Sequence, residues 1–230
     1  MTAVMIQSRN QLRTAALVAV SGGLIVTASA CAPQGNSTDP DYAGGVTTCD
    51  YPSSGVEPAK PVDPPPSSDV PAEGEVTYTI EMNEGPVTIT MDRSKAPCAI
   101  NSFASLAEQG YFDDTQCHRL TDQGLFVLQC GDPTGSGTGG PGYAFADEEA
   151  GEYTKGTVAM ANSGPNTNGS QFFLVYEDSP LPPDYTILGH MDDASVETVG
   201  TMAGESHDSS NGPGDGKPNN EARIQSVTRK

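Results

Sequence analysis

The sequence predicts a mainly β protein, a closed antiparallel barrel of seven or eight short strands with two helices. Three observations carry that reading. Gly (26) and Pro (19) are plentiful among 230 residues, while Trp is absent and aromatics make up only 6%. Short apolar runs recur between loops rich in Gly, Pro and Asp. Only two windows show a helical period. This composition suits a loop-rich β protein with a disordered segment better than a helical bundle. The formal charge of −19 argues against nucleic acid as a partner, because neutralising phosphates takes Lys and Arg. It also excludes docking on an anionic membrane through a basic patch.

Residues 1–30 read as a secretory signal peptide. Arg9 and Arg13 precede an apolar run from Ala15 to Val26, and small residues lead to Ala28-Ser29-Ala30-Cys31. The run is short and broken by Ser21-Gly22-Gly23, which disfavours a permanent transmembrane helix. Cys31 leaves two readings. Ala-Ser-Ala before Cys resembles a bacterial lipobox, in which Cys31 is lipidated and becomes the mature N-terminus, although Ala28 stands where Leu is commonest. The other reading is ordinary Ala-x-Ala cleavage and a secreted chain. Cysteine parity favours the lipid, since removing Cys31 from five leaves an even four in an oxidising compartment. The expected location is the outer face of a bacterial cytoplasmic membrane, with the N-terminal lipid as the membrane contact.

Residues 31–75 read as an acidic Pro/Ser/Gly-rich linker. The stretch 32–74 holds nine of the 19 Pro, including Pro64-Pro65-Pro66, and shows no hydrophobic period. Such a segment buries too little apolar surface to offset its ordering entropy, so a semi-extended stalk reaching on the order of 100 Å is expected.

The folded domain is placed at 76–230. Val76–Ile80 and Val87–Met91 alternate apolar and polar residues around the turn signal Asn83-Glu84-Gly85-Pro86, which describes a β-hairpin. Pro97 opens a stretch with apolar residues at Ile100, Phe103, Leu106 and Ala107, closed by Gly110, which describes an amphipathic helix. Apolar runs at 125–128, 157–161, 172–176 and 186–188 read as strands. A weaker helix fits 194–202, and 224–227 reads as the last strand.

Several motifs carry no chemistry. Gly135-x-Gly137-x-Gly139-Gly140 lacks a following Gly-Lys-Ser/Thr and a βαβ setting, so a flexible surface loop is expected rather than a phosphate site. Cys117-His118 with Cys130 has no fourth zinc ligand at a recognisable spacing. No Gly-x-Ser-x-Gly elbow supports a hydrolase. Asn168-Gly169-Ser170 is a glycosylation sequon by pattern only.

Met160-Ala-Asn-Ser-Gly-Pro-Asn-Thr-Asn-Gly-Ser-Gln-Phe-Phe173 is different in kind. These fourteen residues closely resemble the signature of the cyclophilin-type peptidyl-prolyl isomerases. His118-Arg119, Phe126–Asp132, Gly137-Thr-Gly-Gly140 and Leu181–Gly189 follow in that family's order, so the resemblance covers about residues 76–228. It implies an eight-stranded barrel capped by two helices, acting on X–Pro bonds of unfolded or flexible polypeptides outside the cytoplasm. No metal or cofactor is needed, and a monomer is expected. The resemblance assigns Arg119, Phe126 and Gln129 as catalytic. Arg119 would stabilise the pyramidal prolyl nitrogen of the twisted amide, and Gln129 would hold substrate and arginine. Val127, Phe173 and Leu181 would wall a proline pocket together with Phe126. Ala161 and Asn162 would pair with the peptide backbone, with Gln171 as a further polar lining residue.

There are departures from the family pattern. Two extra residues lie between Arg119 and Phe126, no Trp is present, and Tyr185 stands where a pocket His often sits. His118 is expected to point away from the site and serve the core. Four cysteines (Cys49, Cys98, Cys117, Cys130) permit three pairings by sequence alone. The fold resemblance implies Cys117–Cys130 on adjacent antiparallel strands, at a Cα separation of about 5.5 Å, and hence Cys49–Cys98. The competing function is a non-catalytic peptide-binding or holdase module on the same fold.

Overall fold

The computed structural model describes residues 44–230. The expected signal peptide, Cys31 and the linker residues before 44 lie outside the described residues.

From residue 44 the expected stalk is ordered. A two-residue strand β1 (Val46–Thr47) pairs antiparallel with β2 (Val70–Pro71), and Cys49, Tyr51 and Val70 are buried. A disulfide joins Cys49 to Cys98 with the Cα atoms 5.5 Å apart. Tyr51 donates its hydroxyl to the Cys98 carbonyl (2.8 Å), and the Asn101 amide donates to the Pro66 carbonyl (2.9 Å). Asp63 N–H donates to the Gln109 side chain (2.8 Å). The composition argument fails here because it counted only apolar side chains. The segment's backbone groups are satisfied by polar side chains beside it, and the cross-link offsets part of the ordering entropy.

The expected hairpin is β3 (Glu75–Met82) and β4 (Gly85–Asp92), in register from Glu75↔Asp92 to Met82↔Gly85. Its alternation puts Tyr78, Ile80, Val87 and Ile89 inside. Helix α1 (Pro97–Glu108) starts on its proline and buries Ile100, Phe103, Leu106 and Ala107. Its N-cap residue, Ala96, supplies no side-chain cap; instead the Glu148 carboxylate accepts from the N–H groups of Cys98 (3.0 Å) and Ala99 (2.7 Å). Phe103 meets Tyr78, Phe112 and Phe172 at ring centroids of 5.5, 5.1 and 5.6 Å.

The strands that follow are β5 (Thr115–Gln116), β6 (Arg119–Asp122), β7 (Phe126–Cys130), β8 (Thr157–Met160), β9 (Phe172–Val175) and β10 (Ile187–Met191). Helix α2 (Asp193–Gly204), capped by Asp192 on Ser195 N–H (2.8 Å), precedes β11 (Asp215–Gly216) and β12 (Arg223–Arg229). The main sheet runs β11-β6-β7-β9-β8-β10-β4-β3-β12-β5. It is mainly β with two helices, as expected, but it is a strongly curled open half-barrel rather than a closed eight-stranded barrel. The chain changes partner at Cys117–His118. Cys117 N–H donates to the Ala222 carbonyl, before β12, and His118 N–H donates to the Gln129 carbonyl on β7, each at 3.0 Å. One chain segment changes partner between consecutive residues, so β5 and β6 join through the backbone and not through a ladder.

Cys117 and Cys130 form the second disulfide, with a Cα separation of 4.0 Å, closer than the spacing expected from sequence. Reducing Cys49–Cys98, or replacing both residues by Ser, releases a loop of 49 residues. We expect a stability loss on the order of 4 kcal/mol, read by urea unfolding, with new proteolytic cuts confined to residues 44–74. An unchanged cleavage pattern would show that the cross-link does not hold this segment.

Candidate functional site

Strands β7, β8 and β9 are sandwiched between two apolar layers. Leu128, Val158, Met160, Phe172 and Leu174 join the main core. The alternate residues Val127, Ala159, Phe173 and Val175 join Tyr153 in a second cluster on the opposite face, edged by Leu125, Ala161, Leu181, Tyr185 and Ile187. Phe173 lies edge-on to Tyr185 at 5.5 Å, and Tyr153 is 6.0 Å from Phe173. Tyr153 Oη donates to the Tyr185 carbonyl (2.8 Å) and accepts from Tyr185 N–H (2.9 Å), which fixes the aromatic wall.

A row of directly paired residues crosses this face. Arg119 stands opposite Gln129, Gln129 opposite Phe173, Phe173 opposite Ala159, and Ala159 opposite Ile187. Directly opposed residues share a face, so the guanidinium, an amide and an apolar floor lie in line. Gln129 Oε1 accepts from Arg119 Nη1 (3.4 Å), and Gln129 Nε2 donates to Gln171 Oε1 (2.8 Å). Gln171 Nε2 donates in turn to the carbonyls of Gly137 and Gly139, both at 3.0 Å.

The other edge of Arg119 is held by a residue that sequence reading missed. Arg119 Nε donates to Asp215 Oδ1 (2.9 Å) and Oδ2 (3.0 Å), and Nη2 donates to Oδ2 (2.6 Å). Asp215 belongs to β11, which pairs with β6 at Thr121 and Leu120. Hydrogen bonding to Asp215 raises the Arg119 pKa further, and hydrogen bonding to Arg119 holds the Asp215 carboxyl below the usual carboxylate range. Nothing local in the sequence marks Asp215: it lies in an Asn-Gly-Pro-Gly-Asp-Gly loop 96 residues from its partner.

The glycine loop is built and not flexible, contrary to expectation. The buried Asp132 carboxylate accepts from the N–H groups of Thr134 (2.7 Å), Gly137 (2.7 Å) and Gly139 (3.1 Å), and from the Thr134 hydroxyl (2.8 Å). Burial pushes its pKa up, but these hydrogen bonds outweigh it and the net shift is downward. A Cβ at Gly139 would overlap the Asp132 carboxylate, so glycine is required there. Beyond Gln171 this loop walls a cleft of about 600 Å³ that also includes Gln129, Ala161 and Asn162.

The structure thus gathers Arg119, Gln129, Gln171, Val127, Phe173, Leu181, Tyr185 and Ala161. Ala161 N–H donates to the Gln171 carbonyl (2.9 Å), and the Asn162 amide donates to the Asp184 carbonyl (2.8 Å). Phe126 is not among them. It lies an odd number of residues from Gln129 on β7, faces the main core and meets Tyr176 at 6.0 Å. His118 has both ring nitrogens buried. Its ring packs under Gly137, and burial pushes its pKa down.

Comparisons with known proteins bear on the family and the fold. Residues 77–229 match the family model described as cyclophilin type peptidyl-prolyl cis-trans isomerase/CLD. The chain is similar to the probable peptidyl-prolyl cis-trans isomerase B of Mycobacterium leprae, 45% identical over 195 residues, covering 78% of this chain and 65% of that protein. The corresponding Mycobacterium tuberculosis (strain H37Rv) protein is 44% identical, with 78% of this chain and 63% of that one covered. The chain therefore spans slightly less than two thirds of these relatives' length. Among solved structures, a cyclophilin type peptidyl-prolyl cis-trans isomerase of Cryptosporidium parvum is 34% identical, with a TM-score of 0.61, over 68% of this chain and 98% of that one. The same protein has also been solved in the presence of the dipeptide Ala-Pro, with a TM-score of 0.60.

Gly139→Ala should displace the Asp132 carboxylate and cost about 2 kcal/mol of stability, with the Gln171 amide resonances shifting as its two carbonyl acceptors move. The carboxyls of Asp132 and Asp215 have depressed folded-state pKa values. Their stabilising contribution is full above the unfolded value of about 3.9 and is lost as the pH falls through the folded values. Urea titrations from pH 7 to pH 2.5 should therefore show the gap between the wild-type chain and Asp132→Asn closing below about pH 4. A gap that persists undiminished at pH 2.5 would contradict the ionised cage.

Proposed function

The chain belongs to the cyclophilin-type peptidyl-prolyl cis-trans isomerase family, and on that premise we propose that residues 77–229 accelerate rotation about X–Pro bonds in flexible or unfolded extracytoplasmic polypeptides. The barrier to that rotation is about 20 kcal/mol, because twisting the amide breaks its resonance. No covalent step is required; the site has to bind the twisted amide more tightly than either planar isomer. Val127, Phe173, Leu181 and Tyr185 offer the proline ring an apolar pocket. Ala161 and Asn162 are the proposed edge for the peptide backbone. The Ala161 N–H already serves Gln171, so the peptide would use the carbonyl.

The observation that carries the proposal is the clamp on Arg119. Asp215 occupies Nε and Nη2, and Gln129 sits at Nη1, so the plane of the guanidinium is set before substrate arrives. A donor fixed beside an apolar floor stabilises a developing lone pair on the prolyl nitrogen without reorganising at the moment of reaction. A planar fork held on one edge suits this task and a lysine does not. The location outside the cytoplasm, with a lipid on Cys31, is also a proposal. It is supported by the Ala28-Ser29-Ala30-Cys31 pattern and by two disulfides in the described chain, which persist in oxidising compartments.

The test is isomerisation of a proline peptide, together with proline-limited refolding, by the mature chain. Arg119→Ala should lower kcat/KM by about 10²–10³-fold, and Arg119→Lys should not restore it. Asp215→Asn should lower kcat by about tenfold with KM little changed, since the donor remains and only its fixed orientation is lost. Phe126→Leu should leave kcat/KM within about threefold of wild type, whereas Phe173→Ala should raise KM steeply. Equal rates for wild type and Arg119→Ala would leave the non-catalytic peptide-binding module as the reading.

A further inference from the structure

The segment first read as a stalk forms one wall of the cleft beside the candidate site. Residues 52–59 run along residues 140–144: Ala144 N–H donates to the Pro52 carbonyl (3.0 Å), Ser54 N–H to the Gly142 carbonyl (3.0 Å) and Ala59 N–H to the Gly140 carbonyl (2.8 Å). Ser53 and Tyr143 form an antiparallel bridge, and the Tyr51 ring lies edge-on to Tyr143 at 5.6 Å. Gly142, at φ +84°, lets the Pro58 ring approach; a Cβ there would come within 3.1 Å of Pro58 Cδ. Cys49–Cys98 anchors the start of the segment. Ser54, Val56 and Glu57 are thereby held at the rim of the 600 Å³ cleft, facing the side made by Gln129, Gln171, Ala161 and Asn162.

The chemistry of this rim is specific. Among the described residues Glu57 is the one carboxylate lining the cleft, and no Lys or Arg lines it. Val56 is 66% exposed, an apolar side chain left standing beside that carboxylate. Together they present a charge for a cationic head and an apolar surface for its aliphatic stem. We propose that this rim makes the cleft a specificity subsite for a Lys or Arg side chain within three residues of the substrate proline, with Glu57 as its charge partner. The inference rests on the isomerase reading, because the cleft shares Gln129 and Ala161 with the site that would hold the proline. It differs from general attraction by a chain of charge −19, which acts on a cation wherever it lies in the peptide.

The experiment uses proline peptides carrying Lys, Gln or Glu at each of the three positions on either side of proline. They are assayed with the mature chain and with its Glu57→Gln and Glu57→Lys variants. At one position Lys should be favoured over Gln by about two- to five-fold in kcat/KM, the size of an exposed ion pair. The preference should vanish in Glu57→Gln and invert in Glu57→Lys, while the all-Gln peptide is turned over equally by all three proteins. A Lys preference unchanged in Glu57→Lys, or one equal at every position, would overturn the inference and leave the isomerase reading intact. Failure of wild type to turn over the all-Gln peptide would sink the isomerase reading, and Lys-peptide binding that does not depend on Glu57 would then sink this inference too. Anisotropy of the labelled Lys peptide separates a binding-only site: Glu57-dependent affinity there would leave the rim's charge preference standing without catalysis.

Discussion

Arg119 faces Gln129 across β6 and β7, and the use of the whole outer face follows from that register. A slip of one residue between these strands would turn Arg119 toward the main core, where Leu120 and Leu128 now lie, and would put Leu120 beside Gln129. Two features oppose the slip. Apolar residues fill both faces of β7, so any displaced register buries a polar side chain. The Cys117–Cys130 disulfide ties the end of β7 to the residues leading into β6, close beside the Arg119–Gln129 pair. The disulfide therefore works on register as much as on stability, and it sits where an error would be costliest to the site.

Electrostatically, the molecule keeps one cation poised in an acidic chain. A lone guanidinium on a surface of charge −19 would be drawn to whichever carboxylate swung nearest. Asp215 ends that competition with three short hydrogen bonds from a strand paired to the arginine's own strand. A second carboxylate acts at a distance. Asp132 gathers the N–H groups of the glycine loop, the loop's carbonyls hold Gln171, Gln171 accepts from Gln129, and Gln129 meets Arg119. Both ends of this polar line are anchored by ionised aspartates, and rotamer freedom between them is small.

The hairpin, α1 and the apolar strands were legible because their signals are local: alternation, a first-turn proline and β-branched runs. The resemblance singled out Arg119, Gln129, Gln171 and Phe173, and the fold brings these four to one side of the sheet. Phe126 falls on the opposite face from Gln129, which the resemblance did not foretell because it transfers an identity and not a face. Asp215 was invisible because nothing near it in sequence reports a partner 96 residues away. The glycine loop misled for a related reason: glycine content reads as freedom, whereas here the missing side chains let a backbone close around a buried carboxylate.

The opposite error, at residues 44–74, has the most functional weight. Pro-rich polar chain cannot fold alone, yet it need not stay loose when something else supplies the ordering free energy. Here that is a disulfide to α1, hydrogen bonds to Asn101 and Gln109, and a few buried side chains such as Tyr51 and Val70. Most of the main core comes from residues 76–230, and this segment adds only a few buried side chains to it. Its position on the rim of the cleft couples the segment to what the cleft can recognise. Because Cys49–Cys98 is one of the ties holding it, the rim is best formed where disulfides persist. The domain and its lateral wall thus depend on redox conditions to different degrees. The domain rests mainly on apolar burial, with Cys117–Cys130 bracing the strands beside the site, and the wall depends in larger part on a bond that only an oxidising environment maintains.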